Sequence, residues 1–221
     1  MPARSLAALA AFTLVAGLAF AATADWLSLE WLKDHRDDLL AYCQRHMLLA
    51  VLAYCAAFVA WGALCLPGAG LFALAGGMMF GHLLGTVLAT LSATLAAVLA
   101  FLIARHLLHD WVHARFARAF RVIDRGVLRD GAFYVFMLRL IIVVPFFVVN
   151  PVMGLTDMRV RTFAWASALG LTANAFLWVN AGTMLNRIER LDDILSAPVA
   201  ASFALVGVLP LILKWLFLRR K

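Results

Sequence analysis

From Met47 to Ala104 the chain runs roughly 58 residues without one Asp, Glu, Lys or Arg, where a single bilayer-spanning helix needs about 20. That length exceeds two spans and leaves little room for three with their turns. His82 and Gly85 offer a break, dividing the run into 47–81 and 82–104. The second piece reads as one span. The first, about 35 residues, is too long for one helix and short for two. Pro67-Gly68 stands at its middle, where a missing backbone donor and a permissive glycine favour a sharp turn. We therefore expect 47–81 to enter the membrane, reverse and leave by the same face. Non-helical backbone at that depth must be buried in protein or line a wet cavity.

Composition sets the class. The 221 residues are 65% hydrophobic and 14% charged, against roughly 25% charged in soluble domains, so this is a polytopic membrane protein. The net charge of +7 is carried outside the long apolar runs, where anionic headgroups account for it better than nucleic acid does. Every carboxylate lies within 25–38, 110–130, at Asp157 or within 189–193, so no expected membrane segment carries one. Cys43, Cys55 and Cys65 make no CxxC and no metal spacing, and read as packing residues.

Charge then orients the chain. Arg4 sets the N-terminus inside, followed by an apolar run, 6–24. Its Ala22-Thr23-Ala24 end resembles a signal cleavage site, but its length suits a retained spanning helix. If 47–81 is re-entrant, the span 82–104 delivers the arginine-rich segment 105–131 to the cytoplasm, as the positive-inside rule asks. That segment alternates Leu107, Leu108, Trp111, Val112, Phe116 and Phe120 with basic positions, the pattern of an amphipathic helix on an anionic leaflet. His106, His109, Asp110 and His113 share its helical face, and this reading is preferred there to a metal site.

The run 132–156 carries breakers at Pro145, Asn150-Pro151 and Gly154 and is followed by Arg159 and Arg161. A second hairpin, entered from the cytoplasm, satisfies both flanks. Spans at 162–185 and 197–218 complete the chain with a cytoplasmic C-terminus. The expected fold is all-α: an inverted repeat of two re-entrant helical hairpins, each followed by a transmembrane span, with a transmembrane helix at either end. Inverted repeats with broken helices are a transporter architecture.

Arg139 stands alone inside the second hairpin. An arginine at bilayer depth costs roughly 2.5 to 3.5 kcal/mol on insertion scales, so such residues mark functional sites by default. A guanidinium there suits a lipid phosphate, by bidentate charge-assisted bonds, or else caps the carbonyls of a broken helix. Asn150 could share either task.

The motifs LPGAGLFALAGGMMFGHLLG (66–85), FLIARH (101–106) and FMLRLIIVVPFFVVNPVMGLTDMRVRTF (136–163) resemble the DedA superfamily, also called SNARE-associated or VTT-domain proteins, over about 47–184. The matching positions are Pro67, Gly68, Gly76, Gly77, Phe80, Gly81, Gly85, Arg105, Arg139, Pro145, Asn150, Gly154, Phe163, Gly170 and Gly182. The resemblance implies two facing re-entrant hairpins, and the excess of Arg over Lys with abundant Ala suits a high-GC bacterial chain, so the inner membrane is the expected location. The resemblance also implies movement or scrambling of lipids, with undecaprenyl phosphate or phospholipid as cargo. Ala69 after the first PG and Val144-Pro145-Phe146 resemble the Tvp-like branch, and the missing acidic residue weakens carboxylate-based proton coupling. On this reading Arg139, Asn150 and Pro145 bind substrate. Pro67, Gly68, Gly76, Gly77, Phe80, Gly81, Gly85 and Gly154 shape the hairpins.

No Walker loop, nucleophile elbow or dinucleotide fingerprint occurs, so neither an enzyme, a cofactor nor a bound metal is expected. Anionic membrane lipids are the expected partners, with a homo-oligomer open alongside. A proton- or ion-coupled solute transporter and an envelope-integrity scaffold are the alternatives.

Overall fold

The computed structural model describes residues 3–23, 28–140 and 144–185, and for 3–10, 22–23, 109–130 and 185 it describes the backbone alone. The helix expected at 197–218 lies outside these residues, and the amphipathic face expected on 105–131 falls mostly on side chains outside the described set. Seven helices occur among the described residues: α1 (Ala3–Thr23), α2 (Leu29–Asp34), α3 (Arg36–Arg45), α4 (Met47–Ala63), α5 (Ala69–Leu140), α6 (Phe146–Gly154) and α7 (Val160–Leu185). None of the described residues is in a strand. Two stretches, Ala69–Leu108 and Val160–Met184, are long and apolar enough to cross a membrane.

Between α4 and α5 the backbone reverses where Pro67-Gly68 lies. Cys65 and Gly68 take positive φ, 57° and 111°. The Leu66 amide bonds back to the Trp61 carbonyl at 3.3 Å, and the Trp61 indole N–H closes the turn on the Pro67 carbonyl at 2.8 Å. The limb leaving the turn packs back on the limb entering it, where the Tyr54 hydroxyl donates to the Phe72 carbonyl at 3.0 Å.

Helix α5 contains 72 residues and, if straight, would reach about 108 Å. It doubles back instead. At Gly81 φ is +75°, and a Cβ placed on Gly85 would lie 2.6 Å from the Gly76 carbonyl oxygen, although nine residues of straight helix span about 13 Å. This reversal separates a limb at 69–80 from a long helix beginning at His82, which explains a 40-residue apolar stretch twice as long as one span requires. Further on, Val135 shares a buried cluster with Ala97 and Phe101, so the chain returns a second time. Gly131, with φ +48°, supplies a left-handed residue in that interval.

One expected breaker does not act as one. Pro145 caps α6 in extended geometry, but Pro151 lies inside α6, which continues to Gly154. The ring removes only the hydrogen bond that the Phe147 carbonyl would accept. The remaining contacts of α6 hold it helical: Val149 and Met153 are buried with Ala97 and Phe101 of α5.

The short limbs are exchanged. The limb 69–80 packs on α7, where Gly77 lies against the Val179 carbonyl and Gly182 against the Leu74 carbonyl so closely that neither has room for a side chain. Helix α6 packs on the long helix of α5, with Gly154 equally close to the Phe101 carbonyl.

Candidate functional site

Arg139 occupies the last turn of α5 and is 4% exposed. Its Nη2 donates to Asn150 Oδ1 of α6 at 2.6 Å and to Ser167 Oγ of α7 at 3.1 Å. Its Nε donates to the same Ser167 Oγ at 3.3 Å. The guanidinium carbon lies 5.2 Å from the Phe146 ring centroid and 5.4 Å from that of Phe163, within the range of cation–π attraction. Close approach of α7 permits this: a Cβ on Gly170 would stand 2.5 Å from Arg139 Cβ.

The electrostatics are one-sided. No carboxylate pairs with Arg139 among the described residues, and its Nη1 and the Nδ2 of Asn150 are buried without a hydrogen-bond partner there. Buried polar groups are normally satisfied, so two orphaned donors in one cluster are informative.

Arg139 also lines a cavity of about 260 Å³ between the two turns. Gly68, Ala69 and Gly70 border it at the start of α5, and Pro145, Phe146 and Phe147 at the start of α6. Asn174 and Trp178 close it from α7, while Phe58, Ala89, Ala93 and Leu171 make the wall apolar. Arg139 is its sole charged group among the described lining residues.

Arg105 has a different environment. Its Nε donates to the Gly154 carbonyl at 3.1 Å, and Nη2 donates to the carbonyls of Thr156 and, at 2.8 Å, Met158. Its guanidinium also covers the Phe101 ring at 4.4 Å. This is the carbonyl-capping role considered for Arg139, carried out by the other arginine at the C-terminal end of α6, where a cation also suits the helix dipole.

The remaining family-matched positions divide between the cavity and its frame. Gly68 and Pro145 line the cavity at its two turns, and Pro67 precedes Gly68 in the first of them. Gly76 leaves room for the Tyr54 hydroxyl, and Phe80 meets the Tyr54 ring edge-on at 5.3 Å. Gly81 and Gly85 shape the reversal within α5; Phe163 stacks on Phe101 at 4.5 Å beneath Arg139. Asn150 lies within α6 and accepts from Arg139, rather than standing at the turn tip.

Ser167, Asn174 and Trp178 were not singled out by the sequence. Ser167 and Asn174 stand one heptad apart, with Gly170 and Trp178 on the same helical face, so a polar stripe along α7 was the available signal. The candidate metal-like histidines His109 and His113 fall among side chains outside the described set.

No curated protein and no solved structure matched the chain. Residues 66–184 match the model of the VTT domain, a span that begins at the first turn, ends with α7 and includes both short limbs, the two arginines and all of the cavity lining except Phe58. Because it covers more than half of the sequence, the chain belongs to the membrane-associated VTT-domain family of the DedA/SNARE-associated superfamily.

Proposed function

We propose that this protein is a lipid flippase or scramblase of the bacterial inner membrane, in which the cavity admits an anionic headgroup while the acyl chains stay in the bilayer. The observation that carries this reading is Arg139 itself: a buried cation with no acidic partner among the described residues, lining a cavity between two turns. On this reading the turns at 64–68 and 144–145 are the tips of re-entrant hairpins forming an inverted repeat, and both chain termini are cytoplasmic. The cargo class is an anionic lipid such as undecaprenyl phosphate or a phospholipid. The cavity is somewhat smaller than the roughly 300–1,000 Å³ usual for drug-sized ligands, which suits a headgroup and excludes its tails. Ala69 and Val144-Pro145-Phe146 favour the Tvp-like branch. No enzymatic step is required.

The test is reconstitution. Vesicles containing the protein should move labelled anionic lipid between leaflets faster than empty vesicles, and Arg139→Ala should return the rate to background. Equal rates in loaded and empty vesicles, across several anionic lipids, would overturn the reading. Cysteine accessibility of the 105–130 segment tests the topology independently, since an external location removes the re-entrant arrangement.

Ion-coupled transport of a small solute is a second reading, favoured by His82. Its Nδ1 is buried without a partner among the described residues and its ring meets Phe176 at 4.5 Å. Solute uptake driven by a pH gradient, lost in His82→Phe, would select it.

A further inference from the structure

We propose that the Arg139 cavity is an anion site that holds a free inorganic anion whenever no headgroup is present, and that a lipid headgroup enters by displacing it. The inference rests on the reading that the cavity receives an anionic group, and adds a resident competitor to it.

Three independent features of Arg139 and its surroundings bear on this cavity. The first is the pair of orphaned donors. Arg139 Nε and Nη2 are engaged by Ser167 and Asn150, whereas Arg139 Nη1 and Asn150 Nδ2 have no partner among the described residues. Both are N–H donors on fully or nearly fully buried residues, at 4% and 0% exposure. A cation cannot satisfy them; an acceptor can. The second is charge. The guanidinium is buried beside neutral side chains, and burial without a counter-charge is strongly unfavourable. No Asp or Glu lies among the described cavity-lining residues, so the acceptor best suited to the site is itself negative.

The third is the backbone. The first turns of α5 and α6 both border the cavity. A helix N-terminus carries unsatisfied N–H groups and about half a positive charge, and Pro145 offers no side chain to cap α6. The termini of two helices from opposite halves of the chain thus add to the positive field of Arg139, as at other anion sites built on helix starts. The volume of about 260 Å³ accommodates a halide or inorganic phosphate with water, or one phosphate headgroup. These ligands share one chemistry: a compact anion that compensates the Arg139 guanidinium in the cavity wall.

A resident anion would have a mechanistic consequence. The headgroup would exchange anion for anion, and the cavity would never pass through a state with a bare buried guanidinium. Lipid movement should then slow as halide or phosphate rises at constant ionic strength.

The experiment uses the full chain in dodecyl maltoside. Radiolabelled chloride should be retained on size exclusion, and the unfolding midpoint should rise saturably with chloride or inorganic phosphate when gluconate replaces them at equal ionic strength. Dodecyl phosphate should displace the label, whereas uncharged detergent should not; this arm separates headgroup binding from free-anion binding and needs no variant. Asn150→Asp places a fixed carboxylate beside Arg139 and should abolish both chloride retention and the anion dependence of unfolding. Equal midpoints in chloride, phosphate and gluconate would overturn the proposal, as would a label that dodecyl phosphate leaves in place or an Asn150→Asp protein that keeps full anion dependence. Lipid movement without any retained anion also overturns it while sparing the transport reading. Retained, displaceable chloride without lipid movement has the opposite result.

Discussion

Arg139 Nη2 and Asn150 Oδ1 lie 2.6 Å apart, a bond that fastens the end of α5 to the middle of α6. Ser167 completes the arrangement from α7. One guanidinium therefore sets the mutual position of three helices at the cavity wall.

Removing either neutral partner should loosen that junction. Asn150→Ala and Ser167→Ala are each expected to cost about 1.5–3 kcal/mol, the range for hydrogen bonds to a charged group. Together they should depart from additivity, because both act through one guanidinium. Unfolding of the four combinations in mixed micelles measures this coupling, and strict additivity would contradict it.

Arg105 should be more sensitive to shape than to charge. Lysine keeps the cation but lacks the planar fork that reaches the Gly154, Thr156 and Met158 carbonyls, so Arg105→Lys should lose about 1–3 kcal/mol. The same unfolding measurement checks it. An Arg105→Lys protein as stable as the parent would refute the capping role.

The limb exchange predicts a contrast among glycines. Gly77→Ala and Gly182→Ala force a methyl group against a backbone carbonyl and should each destabilise by about 1–3 kcal/mol. Gly17→Ala meets nothing within 4 Å in the middle of α1 and should be neutral or stabilising by up to about 1 kcal/mol. Folded yield on size exclusion and melting temperature should rank them in that order.

Gly81 isolates backbone strain from packing, since its φ is +75° but a Cβ there has open space. Gly81→Ala should cost about 1–2 kcal/mol. Gly81→Asn should cost less, because asparagine enters the left-handed region more readily. Equal melting temperatures for the two variants would argue against a left-handed Gly81.

Cys43 lies on α3, outside the apolar stretches, and burial pushes its thiol pKa above the ordinary value. A raised pKa means less thiolate at any given pH, and the thiolate is the reactive form. Alkylation of a Cys55→Ala, Cys65→Ala protein should thus be slower than that of free cysteine near pH 8 and gain speed as pH rises further. Reaction at the free-cysteine rate would place Cys43 on an open surface.

The features legible in the sequence are those with a local cause. Pro67-Gly68 announces a turn because both residues act on their own backbone, and the excess length of the uncharged run demands a reversal, which occurs at Gly81. Arg139 announces a site because its cost in apolar surroundings is large and nearby residues cannot cancel it. Its partners were less legible. Ser167 is 28 residues away, and only the seven-residue spacing to Asn174 hinted at a polar face. Arg105 read as a positive charge that orients a loop, yet its bonds reach 49 to 53 residues along the chain, beyond any periodicity. Asn150-Pro151 read as a breaker because proline propensity is local, whereas burial of Val149 and Met153 against α5 sustains the helix through it.

The exchange of short limbs also bears on how this protein can be divided. Limb 69–80 finds its backbone-to-backbone seat on α7, and α6 finds its seat on α5, so each half of the chain covers a short limb of the other. Neither half is a module that could have its interior assembled alone. Cut within 109–130 and expressed separately, the pieces should accumulate only when made together, as two parts of one clasp.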